Sequence, residues 1–504
     1  MPNQAEIRQI FGSSHLSMRS PKPDAKIAGG EQEYAAAEAF EESGFTGYCN
    51  RLQIPVPPMN TKAGINWTNK SALAIANGAN PVAAVQDAAR ALVLKARELG
   101  WEGPPFNPVK IVELLNAKVS ANSNIADARL IATDHGPIIE FNPQQPRERV
   151  RFSIAHELAH LLFPDWPDEI RNRNVIHKPS DNWQLELLCN IAASEFVLPI
   201  GSLPSSFHIA SIEKLMQERR QYDVSTEAFL IRLAKVSDMP VSVFFASPIE
   251  DENGSRQYRV DYSVSSAFAP SAQIEGTIVP QTSALRNCTA IGHTDQATET
   301  WFVGEETLIE YVGIPGYPGS RYPRVAGIVR FGSKQSDKRP IRYVHGNIIA
   351  PLDDGRKIIC QLVNNRAVKW GGGVARKFAQ RFPDAEAQFS ETMLDIKPSE
   401  RLGNAIFTQL NAEDILASII AQEGFGPSMF SRLRYSALQS GLKVIAAMAS
   451  KTGASIHMPR IGTGAAGGDW GVIEEIIEEE MVRSNLTVTV YDLPPRREQF
   501  ELFS

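Results

Sequence analysis

The chain has 504 residues, of which 43% are hydrophobic and 21% charged, with a formal net charge of −6. This length exceeds what one hydrophobic core supports, so we expect about three globular domains. The acidic balance gives no sign of a nucleic-acid or anionic-membrane partner, and four cysteines without a CxxC pair argue against a disulfide framework. Because no signal peptide or window of ~20 apolar residues is present, we expect a soluble, cytoplasmic protein.

The first 60 residues predict a poorly ordered arm, because prolines and a Gly-Gly pair interrupt any apolar period. Apolar spacing after this arm predicts a run of helices and a pair of strands, which form an α+β domain over residues 61–245. The helices are expected at 82–99, 109–115, 149–163, 182–197 and 224–237. The strands are expected at 128–133 and 138–141.

Short β-rich runs separated by Gly and Pro clusters predict a small, mostly β module over residues 246–335. These runs are 258–264, 276–279, 300–303, 308–312 and 325–331. From residue 336 to 504, strands alternate with helices, with strands expected at 358–363, 405–409, 455–458 and 487–491 and helices at 374–382, 428–440 and 472–482. This alternation predicts a three-layer α/β domain with a largely parallel sheet, whose ligand binds at the strand ends.

The strongest chemical signal is the run His156-Glu157-Leu158-Ala159-His160 in the helix expected over 149–163. Histidines four positions apart lie on one face of a helix, so both rings can bind the same metal ion. Glu157 can take a proton from a metal-bound water, whose pKa zinc lowers toward ~7. The pattern therefore predicts a Zn²⁺ ion on His156 and His160, with Glu157 as the general base.

A catalytic zinc ion keeps three protein ligands and leaves one position for water, so a third ligand is needed. The next helix carries Glu186, then Asn190 four residues on, small residues and a closing proline. This run resembles the second motif of the ImmA/IrrE family of zinc peptidases, over roughly residues 75–245. The resemblance implies a zincin-like fold with Glu186 as the third ligand. His177 and His135 remain alternative ligands.

Members of the ImmA/IrrE family are best known for cutting regulatory proteins, often repressors, inside bacteria. The resemblance implies a substrate strand that pairs with an edge strand beside the metal, and residues 138–141 are the expected edge. Many relatives also carry a helix-turn-helix domain, and we find no such motif or other direct nucleic-acid-binding motif in this sequence.

Glycine-rich loops follow two predicted strands of the C-terminal domain, and each loop precedes a helix. Glycines let backbone amides close on a diphosphate, and helix N-termini favour anions. The runs Val363-Asn364-Asn365, Trp370-Gly371-Gly372-Gly373 and Arg460-Ile461-Gly462-Thr463-Gly464 resemble those of macro domains, which bind ADP-ribose. The resemblance implies ligand contacts from Asn347, Asn364, Gly371, Gly372, Gly373, Val374, Gly462, Thr463, Gly464, Ala465, Ala466, Gly467 and Tyr491. The Tyr491 ring is expected to pack near adenine.

The sequence departs from the macro-domain pattern in places that matter for chemistry. Asn347 stands where the family usually has the Asp that holds the adenine amino group. Hydrolytic relatives of one class use a Lys and an Asp, and the corresponding positions look like Gln409 and Ala466. Asp469 is a candidate to act on a water or to cap the following helix. Binding is therefore better supported than hydrolysis.

The leading hypothesis is a zinc endopeptidase that cuts a regulatory protein, such as a transcriptional repressor, under the control of ADP-ribose or an ADP-ribosylated protein. A rise in such a ligand would signal nucleotide or DNA stress to the peptidase. One alternative is an ADP-ribose reader or hydrolase whose peptidase fold only docks a partner. Another alternative is a toxin–antitoxin component. The intact His-Glu-His set favours the enzyme.

Overall fold

The computed structural model describes residues 65–168, 181–250, 256–270, 274–317, 320, 322–331, 341–351, 355–482 and 484–492. The predicted arm over residues 1–60 and the alternative ligand His177 lie outside the described residues.

Helices dominate the first part of the described chain. They are α1 (Lys70–Ala76), α2 (Pro81–Glu98), α3 (Val109–Leu114), α4 (Arg147–His160), α5 (Asn182–Val197), α6 (Ile212–Arg219) and α7 (Thr226–Val236). The five helices expected from apolar spacing are confirmed to within a few residues, while α1 and α6 were not anticipated. Helix α2 illustrates why spacing was informative: Asn80 caps its first turn, Pro81 opens it, and Gly100 follows its end at φ +82°.

A three-stranded sheet lies against α4. Its strands are β1 (Lys118–Ala121), β2 (Ala128–Thr133) and β3 (Gly136–Phe141), in the order β1-β3-β2. Strand β3 is parallel to β1 and antiparallel to β2. The expectation that residues 138–141 form an edge is therefore wrong, because β3 is paired on both sides and the edge strands are β1 and β2.

A five-stranded antiparallel sheet follows. Its strands are β4 (Val241–Glu250), β5 (Arg256–Ser265), β6 (Thr294–Glu299), β7 (Thr307–Ile314) and β8 (Arg324–Arg330), in the order β5-β4-β8-β7-β6. Strand β4 spans the expected boundary at residue 245. Residues 276–279 supply only an isolated bridge, and 300–303 form a turn rather than a strand. Trp301 and Phe302 pack on the core of this sheet, which explains why this turn has an apolar sequence.

A buried arginine joins this sheet to helix α7. Arg324 lies 3.2 Å from Glu227 of α7 and 3.4 Å from Asp261 of β5, and its guanidinium group covers the Tyr317 ring at 4.0 Å. A buried charge of this kind needs its partners in place, because an uncompensated charge away from water is costly. The five-stranded sheet is thus held firmly against the helical region.

The third sheet has six strands, with five of them parallel. They are β9 (Ile341–His345), β10 (Lys357–Asn364), β11 (Ala405–Gln409), β12 (Asp414–Gln422), β13 (Ser455–Pro459) and β14 (Val488–Asp492), in the order β11-β12-β10-β13-β14-β9. Only β11 runs antiparallel.

Helices cover both faces of this sheet, which gives the expected three layers. They are α8 (Gly373–Arg381), α9 (Pro383–Asp395), α10 (Tyr435–Thr452) and α11 (Trp470–Ile477), the last extended by a π-helical turn over Glu478–Val482. Phe378 and Phe389 of α8 and α9 pack on one face with Leu416 of β12. On the other face, Gly441 of α10 lies so close to Ile419 that a Cβ would approach it to 2.6 Å. Strands β9 and β12 and helix α9 were not anticipated, and the helix expected at 428–440 is α10, which begins later, at Tyr435.

No helix among the described residues is both long enough and apolar enough to cross a membrane.

Candidate metal centre and ligand loops

Three potential metal ligands converge between helices α4 and α5. The nearest ligand atoms of His156, His160 and Glu186 all lie within 4.8 Å of one another. His156 Nε2 is 3.1 Å from a carboxylate oxygen of Glu186, and the two imidazole rings are 5.1 Å apart. The structure therefore brings together the three residues that the sequence proposed as ligands, and a divalent cation fits this donor set of two imidazoles and one carboxylate.

The local sequence explains why these side chains meet. Positions 156 and 160 are one turn apart on α4, so both rings leave the same face. The rest of this part of the helix is buried, with Ala155, Leu158 and Ala159 inaccessible to solvent. Helix α5 packs along α4 with an equally apolar interior and presents Glu186 toward the histidines.

Asn190 fixes the orientation of His156. Its side-chain amide donates to the backbone carbonyl of Glu186 at 2.7 Å, so its oxygen must face His156 Nδ1, which lies 3.1 Å away. The oxygen can only accept, and His156 Nδ1 therefore carries the proton. The opposite ring nitrogen, Nε2, is left with its lone pair directed toward Glu186, where a metal ion would bind.

Cys189 makes a similar contact with the second histidine. Its sulfur lies 3.4 Å from His160 Nδ1, and both side chains are buried. Sulfur is a weak hydrogen-bonding partner, so this contact holds the ring less firmly than Asn190 holds His156. Helix α5 thus supplies one ligand candidate and, in the following turn, a neighbour for each histidine.

Glu157 joins the metal cluster to the edge of the three-stranded sheet. Glu157 is 8% exposed, and its carboxylate accepts the backbone N–H of Leu130 at 2.9 Å. Leu130 lies on β2, an edge strand. The carboxylate therefore lies between the histidine helix and the strand along which an extended chain could pair.

The charge around His156 favours a bound cation. Burial lowers the pKa of His156, but Glu186, Glu157 and Asn190 outweigh burial, so the pKa lies above its ordinary value. Two carboxylates that stabilise a proton on this ring would also stabilise a metal ion.

A second site candidate lies at the carboxyl edge of the six-stranded sheet. The parallel strands β9, β10, β12, β13 and β14 all end at this edge. The loops that follow β10 and β13 carry the two glycine runs of the sequence. They are next to one another because β10 and β13 are neighbouring strands.

Both glycine runs have the open backbone that an anion site needs. A Cβ added to Gly371, Gly372 or Gly464 would meet no atom within 4 Å. Gly373 opens helix α8 at φ +56°, and the second loop turns at Gly462 with φ +80°. These positive φ angles favour glycine, and the open backbone at Gly371, Gly372 and Gly464 leaves room for a diphosphate to approach.

Comparison with known protein families agrees with both candidates. The family model of the IrrE N-terminal-like domain matches residues 119–234, and the model of the macro domain matches residues 363–477. The chain carries an IrrE-type peptidase domain and a macro domain. Both matched segments lie inside the ranges expected for these folds.

Individual relatives cover separate parts of the chain. Radiation response metalloprotease IrrE of Deinococcus deserti is 31% identical over 28% of this chain and 54% of that protein. Chromodomain-helicase-DNA-binding protein 1-like of Danio rerio is 32% identical over 32% of this chain. ADP-ribose 1''-phosphate phosphatase of Saccharomyces cerevisiae is 29% identical over 30% of this chain and 98% of that protein. The chain spans only 16% of the length of the Danio rerio relative.

In the peptidase domain, the alternative ligand His135 lies in the turn between β2 and β3. Its side chain is exposed and is not part of the cluster formed by His156, His160 and Glu186. A solvated turn position explains its presence without a role in metal binding.

The two asparagines of the predicted ligand site are used locally in the macro domain. The Asn364 side-chain oxygen accepts the backbone N–H groups of Arg366 and Ala367 at 3.0 and 2.7 Å. The Asn347 oxygen accepts the N–H of Ile349 at 3.2 Å. In both cases the side chain shapes the turn after a strand, and its amide N–H₂ group is the part that remains for a ligand.

Tyr491 is not placed where the sequence predicted. The ring is only 4% exposed and belongs to the core that contains Ile348 and Ile359, and its hydroxyl lies 3.2 Å from His457 Nδ1. A ring buried on this scale cannot pack on adenine. The predicted adenine contact is therefore wrong for Tyr491, whose apolar surface serves the core.

The remaining loop residues divide into exposed and structural positions. Gly464, Ala465 and Gly467 are exposed, whereas Thr463 donates to the Arg460 carbonyl at 2.8 Å. Ala466 is 3% exposed, and its carbonyl accepts the N–H groups of Arg432 and Leu433. Val374 is partly buried against the macro-domain core.

The structure also decides two questions about catalytic equivalents. Gln409 pairs with Ile415 near the start of β12, at the edge opposite the glycine loops, so it does not face the ligand site. Asp469 accepts the N–H of Val472 at 3.2 Å and caps α11, which is the structural one of its two predicted roles.

Sequence reasoning missed the residues that orient the site, namely Cys189 and the backbone of Leu130, and it gave Asn190 no role. Asn190 stood inside the quoted motif, and its position one turn after Glu186 was the available signal. No local signal points to Leu130, because its contact with Glu157 depends on how β2 packs on α4.

Proposed function

We propose that this protein is a zinc-dependent endopeptidase. The observation that carries the proposal is the convergence of His156, His160 and Glu186, with the Glu157 carboxylate beside them. The peptidase-domain match and the metalloprotease named among the relatives support the same reaction. Zinc would take these three ligands and polarise a water in the remaining position.

The chain's own residues perform the proton transfer and the positioning. Glu157 accepts the proton of the attacking water on its carboxylate and passes it to the leaving amine nitrogen. Its hydrogen bond from Leu130 N–H holds the carboxylate in place. Asn190 keeps the proton of His156 on Nδ1, so that Nε2 remains available as a ligand.

The substrate is an extended segment of a regulatory protein, such as a transcriptional repressor. We assign its docking strand to β2 instead of the predicted 138–141, because β2 is the edge strand that contacts Glu157. Backbone pairing along an edge binds any extended chain, and side-chain pockets then select the sequence.

The macro domain binds ADP-ribose or an ADP-ribosylated protein, and this binding targets or controls the peptidase. The open glycine loops and the ADP-ribose 1''-phosphate phosphatase among the relatives support this ligand. The relative's name also favours a second candidate function, namely hydrolysis of an ADP-ribose derivative such as ADP-ribose 1''-phosphate. Release of phosphate from ADP-ribose 1''-phosphate would identify that activity.

Incubation of the zinc-loaded full chain with lysate, with and without ADP-ribose, tests the proposal. New protein termini should appear with the parent chain and fall by ~10²–10⁴ with Glu157→Gln, which keeps the shape but removes the base. Zinc content of the variant should be unchanged. Equal cleavage by parent and variant would rule out Glu157 as the base.

A further inference from the structure

Helix α11 of the macro domain is bound to the peptidase domain by a cluster of partly and fully buried charges. Glu475 accepts the N–H of Gly201 at 2.7 Å and pairs with Arg232 of α7. Arg90 of α2 bridges Glu195 of α5 at 2.9 Å and Glu479 at 2.6 Å. The cluster consists of Arg90, Glu195, Arg232, Glu475 and Glu479.

The two backbones also approach closely at this place. Gly201 has φ +71°, and a Cβ there would lie 2.6 Å from the backbone nitrogen of Val472 in the first turn of α11. Only glycine fits such an approach. The segment that follows α5 therefore rests directly on the start of α11.

Each partner in this contact leads to one of the two candidate sites. Asp469, which caps α11, directly follows the glycine loop over 462–468 and lies 3.6 Å from Arg97 of α2. Helix α5 carries Glu186 of the metal cluster and, further along, Glu195 of the charge cluster. Helix α5 thus connects the interface to the metal cluster, and helix α11 follows the glycine loop.

Burial of the charge cluster opposes separation of these helices. Burial raises the pKa of Glu475, as do Glu479 and Glu195, while Arg232 and Arg90 oppose the rise. Separating α11 from α5 would leave these charges without their partners away from water, which is strongly unfavourable. The cluster is therefore a route by which a shift of α11 would reach α5.

We propose that Glu475 is a positioning residue for the metal centre, and that the glycine loop and the metal centre change each other's ligand affinity through α11 and α5. This inference rests on the proposed function, since it takes zinc and ADP-ribose as the two ligands. Linkage requires the effect to be reciprocal, with the same factor in both directions.

Calorimetry of ADP-ribose binding to the full chain tests the coupling. The zinc-loaded chain, freed of excess metal, is compared with the chelator-stripped chain. We expect the two dissociation constants to differ by about 5-fold or more, with an equal factor for zinc affinity with and without ADP-ribose. Equal constants, with both ligands bound, would overturn the inference and leave the proposed function standing. Failure of either ligand to bind the parent chain would overturn both.

Glu475→Gln tests the route. The change leaves two arginines and two glutamates in the cluster, so the charges balance, and the amide can still accept from Gly201. Coupling should fall to within about 2-fold of unity while both ligands still bind. Glu474→Gln is the matched control, because Glu474 is the neighbouring residue but contacts Tyr343 of the macro domain. Coupling that persists in Glu475→Gln, or disappears equally in both variants, would contradict the role of Glu475. The parent comparison remains decisive if the variant does not fold.

Discussion

At the scale of single residues, the proposed metal centre depends on side chains that orient its candidate ligands. Asn190 holds the tautomer of His156 because its own amide is fixed by the Glu186 carbonyl. The sequence could supply the ligand candidates, since His156 and His160 share one helix and one turn. It could not supply the partner of Glu157, because Leu130 reaches that carboxylate only through the packing of a strand on a helix.

Asn190→Ala should weaken zinc binding by about 10–100-fold, because the orienting hydrogen bond to His156 is lost. Ser194→Ala is the matched control, since Ser194 lies one turn further along the same helix and its hydroxyl donates to the Asn190 backbone carbonyl. Competition with a chromophoric zinc chelator measures both affinities. If Asn190→Ala binds zinc as tightly as Ser194→Ala, the hydrogen bond does not orient the ligand.

The sequence pattern was also misleading for an aromatic residue that could either contact a ligand or fill the hydrophobic core. Tyr491 lies next to the end of strand β14, at the carboxyl edge of the six-stranded sheet, which made an adenine contact plausible. The ring instead fills the core against the turn at Gly346, where an added Cβ would approach it to 3.3 Å. Whether the Tyr491 ring is buried decides between a ligand contact and a core position, and its burial depends on how the complete sheet is assembled.

At the scale of elements, the glycine loop after β13 contains positions with opposite demands. Gly464 is open, and a Cβ there would meet no atom within 4 Å. Gly468 is enclosed, and a Cβ there would lie 2.4 Å from a Leu433 methyl group. The first glycine leaves room for a ligand, whereas the second allows the loop to fold.

Gly464→Val should therefore abolish ADP-ribose binding without lowering the melting temperature of the full chain. Gly468→Val should lower the melting temperature, because overpacking of this kind typically costs 1–3 kcal/mol, roughly speaking. Calorimetric titration and thermal unfolding measure the two effects. Normal ADP-ribose affinity in Gly464→Val would show that the ligand does not enter this loop.

Helix α10 begins against a buried carboxylate from the peptidase domain. Glu98 of α2 accepts the N–H of Tyr435 at 2.9 Å, and burial raises its pKa although Arg434 and Lys95 oppose the rise. An acid with a raised folded-state pKa stabilises the fold most at low pH. This contribution is lost as the pH rises from the unfolded-state pKa through the folded-state pKa.

Glu98→Gln keeps the hydrogen-bond acceptor but removes this titration. The stability of the variant relative to the parent should therefore increase as the pH is raised from about 4.5, the ordinary pKa of a Glu side chain, toward neutrality. Chemical unfolding of both chains at several pH values measures the difference. A difference that stays constant or shrinks over this range would mean that Glu98 does not titrate with a raised pKa.

Element prediction succeeded where periodicity was long and failed where pairing mattered. Helix α5 matches its predicted limits because apolar residues continue through it to the stop near Pro199. Strand β1 has mostly exposed residues and therefore no apolar signal. The central position of β3 follows from its pairing with β1, which the sequence near β3 does not reveal.

At the scale of the whole molecule, the two matched domains share an interface that sequence reasoning did not predict. Motifs identify each domain by itself because their glycines, histidines and glutamates are close together along the chain. The charge cluster of Arg90, Glu195, Arg232, Glu475 and Glu479 joins residues far apart in sequence, and each alone is typical of a solvated helix face. Only the folded structure shows that these residues form an interface between domains and not a solvated helix face.

The metal content of the purified full chain tests the central claim most directly. After reconstitution and removal of excess metal, elemental analysis should find one zinc ion per chain in the parent and in Glu157→Gln. It should find almost none in His160→Ala, which removes one of three ligands. Full zinc occupancy in His160→Ala, or a parent chain that retains no divalent metal, would contradict the metal centre on which the proposed function rests.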